Sequence, residues 1–178
     1  LDKFESTLEN GLTHLCNEFG LFENELLQND DIDAKWNDCL IEGYVQDAVE
    51  NFNQYPEVAI AWAAYLGMAA AYDWDNDFEL FKSRMYRDYY GLRGYDDMDE
   101  HIVSYIGADE SWSVKLRLSL QSISVAAQGL MRHEGVEPDT ERGFYVLVRI
   151  YSVMYRLGAS IDLFKLGYRN VRLGGDEA

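Results

Sequence analysis

The chain has 178 residues, 48% of them hydrophobic, and its 32 acidic against 15 basic residues give a formal net charge of −17 at pH 7. This length and hydrophobic fraction predict a single globular domain with a proper core, and they exclude a disordered chain. The acidity argues against non-specific binding to nucleic acid or to an anionic membrane, because the long-range field repels phosphates. It is compatible with a basic protein partner, and equally with a solvated acidic surface.

The cysteine count bears on the compartment. Cys16 and Cys39 are the only two cysteines, and two such distant thiols provide neither a CxxC motif nor a zinc-finger spacing. A reducing, cytoplasmic location is therefore predicted, with a single disulfide between the first two helices as the less favoured alternative. No signal peptide is visible, but the chain begins at Leu1 rather than Met, so a leader removed before Leu1 stays an open alternative.

Two amphipathic helices are predicted at the start of the chain. Residues 2–28 carry apolar side chains in steps of three and four, and Gly20 is expected to divide this segment. A polar turn with an N-cap is predicted at 29–31. Residues 33–54 carry a second apolar stripe opposite an acidic face, and the helix is expected to stop before Pro56.

The segment Pro56–Tyr72 predicts the central helix of the fold. It contains no charge from Val58 onward and is rich in alanine, which favours helix. Pro56 suits the first helical turn, and the anionic Glu57 suits the positive end of the helix dipole. Because the helix is apolar on every side, other elements must bury it on every side. It is shorter than the about 20 apolar residues that a membrane span requires.

Later segments extend the helical pattern. A fourth helix is predicted over 78–90, capped by Asp75 or Asn76, and a short acidic helix over 96–106. Residues 111–133 fit both an alternating strand and a longer helical pattern. We predict helix, because no second strand is available to pair with this one.

The last helix is predicted over 140–168 and is mostly apolar, with a flexible tail at 170–178. The whole pattern predicts an all-α bundle of about six to seven helices, whose core is the central helix together with the last one. Segments 58–67 and 148–158 both end in Leu-Gly. We interpret their small residues as a sign of close helix packing rather than of an internal repeat.

Two acidic clusters are candidate metal sites. Asp73 and Asp77 are spaced four apart, and so are Asp97 and His101, which would place each pair on one helix face. Carboxylate and imidazole ligands of this kind could hold Mg²⁺ or Mn²⁺ in a phosphohydrolase. The alternative interpretation is a set of solvated turns with capping aspartates.

The acidic helical pattern resembles the all-α nucleoside triphosphate pyrophosphatases in architecture only. That family uses a Glu-x-x-Glu helix and a later Glu-x-x-Asp helix around Mg²⁺. Here the only Glu-x-x-Glu joins Glu134 to Glu137, in a predicted break between helices, and Asp47 with Glu50 provides only Asp-x-x-Glu. The resemblance therefore implies a helical bundle and identifies no site residue.

The last helix also carries a stripe of arginines. Arg142, Arg149 and Arg156 repeat every seven residues in a strongly apolar helix. A half-buried guanidinium needs an anion. One interpretation is an internal ion pair with acids of the second helix or of the central junction, the acidic stretch after the central helix that contains Asp73, Asp75, Asp77 and Glu79. The other is a pocket for a carboxylate or phosphate, with Tyr151 and Tyr155 as its walls.

No complete catalytic motif is present, so the leading hypothesis is a non-enzymatic cytoplasmic binding module, adaptor-like or immunity-like, for a protein partner. A basic partner would suit the charge, whereas nucleic acid and membrane would not. The two alternatives are a metal-dependent phosphohydrolase and a small-anion sensor that uses the arginine stripe. No cofactor is expected, except Mg²⁺ or Mn²⁺ under the hydrolase hypothesis.

Overall fold

The computed structural model describes residues 1–52 and 54–170. Within these ranges the chain forms seven α-helices and one 3₁₀-helix, and no strand. The elements are α1 (Asp2–Glu18), α2 (30–52), α3 (Pro56–Asn76), α4 (Phe78–Ser83), the 3₁₀-helix (Tyr86–Tyr89), α5 (Met98–Tyr105), α6 (Glu110–His133) and α7 (Glu141–Lys165). The predicted all-α bundle is confirmed, including helix rather than strand over 111–133.

Helix α3 lies at the centre of the bundle and packs along α7. Helices α2, α5 and α6 surround α3, and α1 packs against α6 and α7. The α3–α7 crossing is so close that a Cβ atom added at Gly158 would lie 1.8 Å from the Ala64 carbonyl oxygen. A Cβ added at Gly67 would lie 2.0 Å from the Tyr155 carbonyl oxygen. The predicted close packing of these two helices is therefore present at backbone level.

Helix α1 is shorter than predicted. It ends at Glu18, where Gly20 adopts a left-handed φ of 72° and the Leu21 amide bonds the Cys16 carbonyl at 2.9 Å. This arrangement is a glycine-terminated helix end. The expectation of further helix over 21–28 was wrong, because the left-handed turn at Gly20 ends the helical hydrogen bonds and the buried Leu21 and Phe22 follow it in a non-helical segment.

Helix α2 begins after Asn29, whose side-chain oxygen accepts a hydrogen bond from the Ile32 amide at 2.9 Å. A π-helical turn, Trp36–Leu40, interrupts the helix between Asp30–Lys35 and Ile41–Phe52. The indole of Trp36 donates to the Ser152 hydroxyl at 2.9 Å and stacks on Tyr155, so this turn fixes α2 against α7.

The region after the central helix differs from the prediction. Helix α3 continues to Asn76, and Asp77, rather than Asp75 or Asn76, caps α4 by accepting from the Leu80 amide at 3.1 Å. The predicted helix over 78–90 ends at Ser83. Its terminal carbonyls bind the buried ammonium of Lys35, which donates to the Phe81 carbonyl at 2.8 Å and also to the Lys82 and Arg84 carbonyls. A cation at this end stabilises the free carbonyls of the helix.

The last two long helices carry side-chain caps. The Asp109 carboxylate accepts from the Trp112 amide at 2.8 Å, and the Thr140 hydroxyl accepts from the Gly143 amide at 2.9 Å. Helix α7 ends at Lys165, three residues before the predicted end. The predicted flexible tail falls mainly on 171–178, which lie outside the described residues.

None of the helices in the described ranges is long and apolar enough to cross a membrane. Cys16 and Cys39 are both free thiols. Burial raises the pKa of the Cys16 thiol to about 12, so this thiol is protonated at neutral pH.

Candidate functional site

A groove of about 1090 Å³ lies between α1, the segment that joins α1 to α2, and α7. We call it the acidic groove. Carboxylates, carboxamides and a few aliphatic side chains line it: Glu5, Glu9, Asn10, Thr13, Asn24, Glu25, Leu26, Leu27, Gln28, Asn29, Ile32, Asp33, Arg156, Ala159 and Asn170.

Hydrogen bonds fix the segment that connects α1 to α2 against α1 and α7. The Asn17 carboxamide donates to the Asn24 carbonyl at 3.0 Å and accepts from the Asn24 amide at 2.5 Å. Asn24 adopts a positive φ of 61°, which asparagine tolerates better than most residues. The Ser160 hydroxyl of α7 accepts from the Leu27 amide at 3.0 Å. The segment is therefore an ordered wall of the groove.

Negative charge dominates the acidic groove. It contains four carboxylates and one guanidinium, and the Arg156 guanidinium is already paired with Glu9 at 2.8 Å and with Glu5 at 3.8 Å. Among the described residues, Glu25 and Asp33 form no ion pair. Burial raises the pKa of the Asp33 carboxyl, Asp30 and Glu9 raise it further, and Arg156 opposes them. The groove is therefore suited to attract a cation.

Two arginines of the predicted stripe, Arg149 and Arg156, form ion pairs beside this groove, and the third, Arg142, is exposed. Arg149 contacts Asp2 and Glu5, each at 3.2 Å, and Arg156 contacts Glu5 and Glu9. The partners belong to α1, whereas the sequence-based ion-pair interpretation placed them in the central junction or in α2. Both arginines remain partly exposed.

The two tyrosines predicted as pocket walls face elsewhere. Tyr155 is fully buried, stacks on Trp36 at a centroid distance of 4.8 Å and donates to the Ile32 carbonyl at 2.8 Å. Tyr151 is also fully buried and packs edge-on against Tyr44. Neither ring lines the acidic groove, so the structure does not bring the tyrosines and the arginines together.

Asp73 lies in a buried polar cluster. Its carboxylate accepts from the Tyr89 hydroxyl at 2.7 Å and the Tyr105 hydroxyl at 2.5 Å, and pairs with Arg84 at 3.4 Å. The guanidinium of Arg84 lies over both tyrosine rings. These neighbours satisfy the carboxylate, so Asp73 has a structural role.

The other three predicted metal ligands have separate partners. Asp77 caps α4, and Asp97 accepts from the Arg93 amide at 3.0 Å. His101 is exposed and stacks on Tyr105 at a centroid distance of 6.4 Å. In the part of the chain that the structure describes, no three or more His, Cys, Asp and Glu side chains are grouped so as to hold a metal ion.

Sequence reasoning missed the acids of the groove. A usable signal was present for two of them, because Glu5 and Glu9 share one face of α1. The comparisons with known proteins add no functional assignment, since no family model, no curated protein and no solved structure matches this chain.

Proposed function

We propose that this protein is a non-enzymatic binding module that takes up a basic segment of a protein partner in the acidic groove. The observation that carries the proposal is the composition of the groove, whose lining combines four carboxylates with several aliphatic side chains. The chain-wide charge of −17 would steer a basic partner toward the protein at long range.

The groove fits the two parts of a lysine or arginine side chain. Its methylene stem would lie on the half-buried Leu26 and Leu27, and its charged head would reach Glu25 or Asp33. The neighbouring carboxamides of Asn10 and Asn29 would hydrogen-bond an extended backbone. A cationic head beside Asp33 would offset the effect of burial on that carboxylate, which supports recognition of a cation over an anion.

The ion pairs support this choice over an anion sensor. An anionic ligand would have to displace Glu5 and Glu9 from Arg149 and Arg156. A cytoplasmic location is part of the proposal, and the two free thiols support it.

Fluorescence anisotropy with labelled peptides of alternating lysine and leucine tests the proposal. We expect saturable binding that weakens steeply as salt is raised, because binding depends on charge. Glu25→Gln/Asp33→Asn should weaken it by about tenfold, since about 1.4 kcal/mol of ion-pair energy corresponds to that factor. The matched control Glu100→Gln/Asp139→Asn removes the same charge at exposed positions that do not line the groove and should retain most of the binding.

Lowering the pH gives a second readout. Because the pKa of Asp33 is raised, this carboxylate should take up its proton at a higher pH than an ordinary aspartate, whose pKa is about 3.9. Peptide binding should therefore weaken at that higher pH as well. If both double variants weakened binding equally, the interaction would depend on the net charge of the protein and not on the acidic groove. Salt-insensitive binding, or no binding of any basic peptide, would contradict the proposal.

A further inference from the structure

A second pocket lies where α6 ends and the chain turns toward α7. Its volume is about 410 Å³, and we call it the α6 pocket. It is lined mainly by Phe52 at the end of α2, by Gln128 and Arg132 of α6, and by Val136, Glu137 and Pro138 of the connection to α7. The α6 pocket and the acidic groove share no lining residue, so they are separate sites.

Hydrogen bonds fix the connection that forms one side of the α6 pocket. Gly135 adopts a left-handed φ of 68°, and the Val136 amide bonds the Met131 carbonyl at 3.2 Å. This arrangement is a glycine-terminated helix end, which turns the chain away from the helix axis. The next carbonyl, that of Glu137, accepts from the Thr140 hydroxyl at 2.7 Å. The wall of the pocket is therefore ordered by the chain itself.

Gln128 has an unsatisfied carboxamide at this pocket. Its Oε1 atom is buried and has no hydrogen-bond partner among the described residues. A buried polar atom without a partner costs free energy, so a ligand donor that reaches it gains affinity. The last side-chain torsion of glutamine is soft, and a rotation about it turns the oxygen toward the pocket. The site therefore offers an acceptor to an ammonium group.

Side chains of both charge signs line the α6 pocket. Arg132 and Glu137 are exposed, and neither forms an ion pair among the described residues. Arg132 lies four residues after Gln128, so their side chains are neighbours on one face of α6. A guanidinium suits a carboxylate, whereas Glu137 and the negative end of the α6 dipole suit an ammonium. The pocket is therefore complementary to a small molecule that carries both groups.

We propose that the α6 pocket binds an apolar α-amino acid. The ammonium of the ligand would contact Glu137 and the Oε1 atom of Gln128, and its carboxylate would contact Arg132. The two charged groups of an α-amino acid share one carbon atom, which matches the adjacency of Gln128 and Arg132 on the helix. The apolar side chain of the ligand would lie on the exposed Pro138, beside Phe52.

Net charge and size favour this ligand over other small molecules. A zwitterion has no net charge, so a chain with a net charge of −17 does not repel it as it repels a free acid or a phosphate. A volume of about 410 Å³ is at the small end of ligand pockets, which suits an amino acid better than a nucleotide. A ligand with so few atoms makes few contacts, so we expect a dissociation constant on the order of 0.1 mM.

Isothermal titration calorimetry with leucine, methionine and phenylalanine tests the proposal. We expect saturable binding, whereas 4-methylpentanoate, which has the leucine skeleton without the ammonium, should bind at least about tenfold more weakly than leucine. The test does not involve the acidic groove, so it is independent of peptide binding. The proposal would be overturned if none of the three amino acids bound saturably up to about 20 mM, or if 4-methylpentanoate bound as tightly as leucine.

Variants of the lining residues locate the site. Arg132→Gln and Glu137→Gln should each weaken leucine binding by about tenfold. The matched controls Arg117→Gln and Glu134→Gln, at exposed positions that do not line the pocket, should leave it unchanged. Gln128→Met removes the unsatisfied oxygen, so it should raise the melting temperature of the ligand-free protein and weaken leucine binding. Equal effects in a variant and its control, or wild-type leucine binding by Gln128→Met, would overturn the proposal.

Discussion

At the scale of single residues, two of the described aspartates are buried in the core and have different surroundings. Asp73 is fully buried and is satisfied by two tyrosine hydroxyls and a guanidinium. Asp162 is 3% exposed, and its Oδ2 atom has no hydrogen-bond partner among the described residues. Burial raises the pKa of the Asp162 carboxyl to about 7, Lys165 opposes this and Asp75 adds to it. An ionised carboxylate without partners is costly in a core, so Asp162 should destabilise the fold at neutral pH.

Asp162→Asn should therefore stabilise the protein in a pH-dependent way. The folded state holds the Asp162 proton up to about pH 7, whereas the unfolded chain releases it near its usual pKa of about 3.9. The contribution of this group to the free energy of unfolding thus falls between about pH 4 and pH 7 and is constant above that range. At about 1.36 kcal/mol per pKa unit, the difference between variant and wild type should reach roughly 2–4 kcal/mol above pH 7.

Urea unfolding of both chains from pH 4 to pH 8 measures this difference. Asp139→Asn, at an exposed position, serves as the control and should show no such trend. A difference between Asp162→Asn and wild type that is independent of pH would contradict the assignment.

At the scale of elements, the crossing of α3 and α7 depends on the absence of two side chains. Gly158→Ala would bring a Cβ atom to 1.8 Å from the Ala64 carbonyl oxygen, and backbone on both sides prevents a local adjustment. We expect a loss of about 1–3 kcal/mol in the free energy of unfolding, as for overpacking of a core. Urea unfolding measures the loss.

Gly11→Ala is the matched control for this substitution. Gly11 lies inside α1, and an added Cβ atom there meets no atom within 4 Å. Alanine should stabilise that helix by about 0.5–1 kcal/mol. The two substitutions should change the free energy of unfolding in opposite directions, which separates the effect of packing from that of helix propensity. If Gly158→Ala left the free energy of unfolding unchanged, the two helices would be able to move apart.

At the scale of the whole molecule, the excess of acid opposes compaction. Folding brings 32 acidic residues and only 15 basic ones onto one compact body, so the native state repels itself. Raising sodium chloride from about 10 to about 150 mM reduces the Debye length from about 30 to about 8 Å and should raise the melting temperature. Differential scanning fluorimetry measures this effect. A fall in melting temperature would mean that the surface ion pairs of Arg149 and Arg156 outweigh the repulsion.

Local patterns were enough to predict the helices that depend on local chemistry. The uncharged segment after Pro56 and the break at Gly20 act through neighbouring residues, and each forms as expected. The prediction was wrong for a helix end that contacts a residue distant in the chain. The helix after Asp77 ends at Ser83, where Lys35, distant in the chain, binds its last carbonyls. Periodicity cannot report such a contact, because it describes only which face of an element is apolar.

The same distinction applies to the sites. The sequence by itself determined an acidic all-α bundle built around two apolar helices, since helix propensity and hydrophobic period act along the chain. Only the tertiary structure decided that Arg149 and Arg156 pair with α1, that Tyr151 and Tyr155 lie in the core, and that acids from α1 and α2 share one groove. Those outcomes depend on how helices rotate and dock against one another, which side-chain packing across the whole bundle determines.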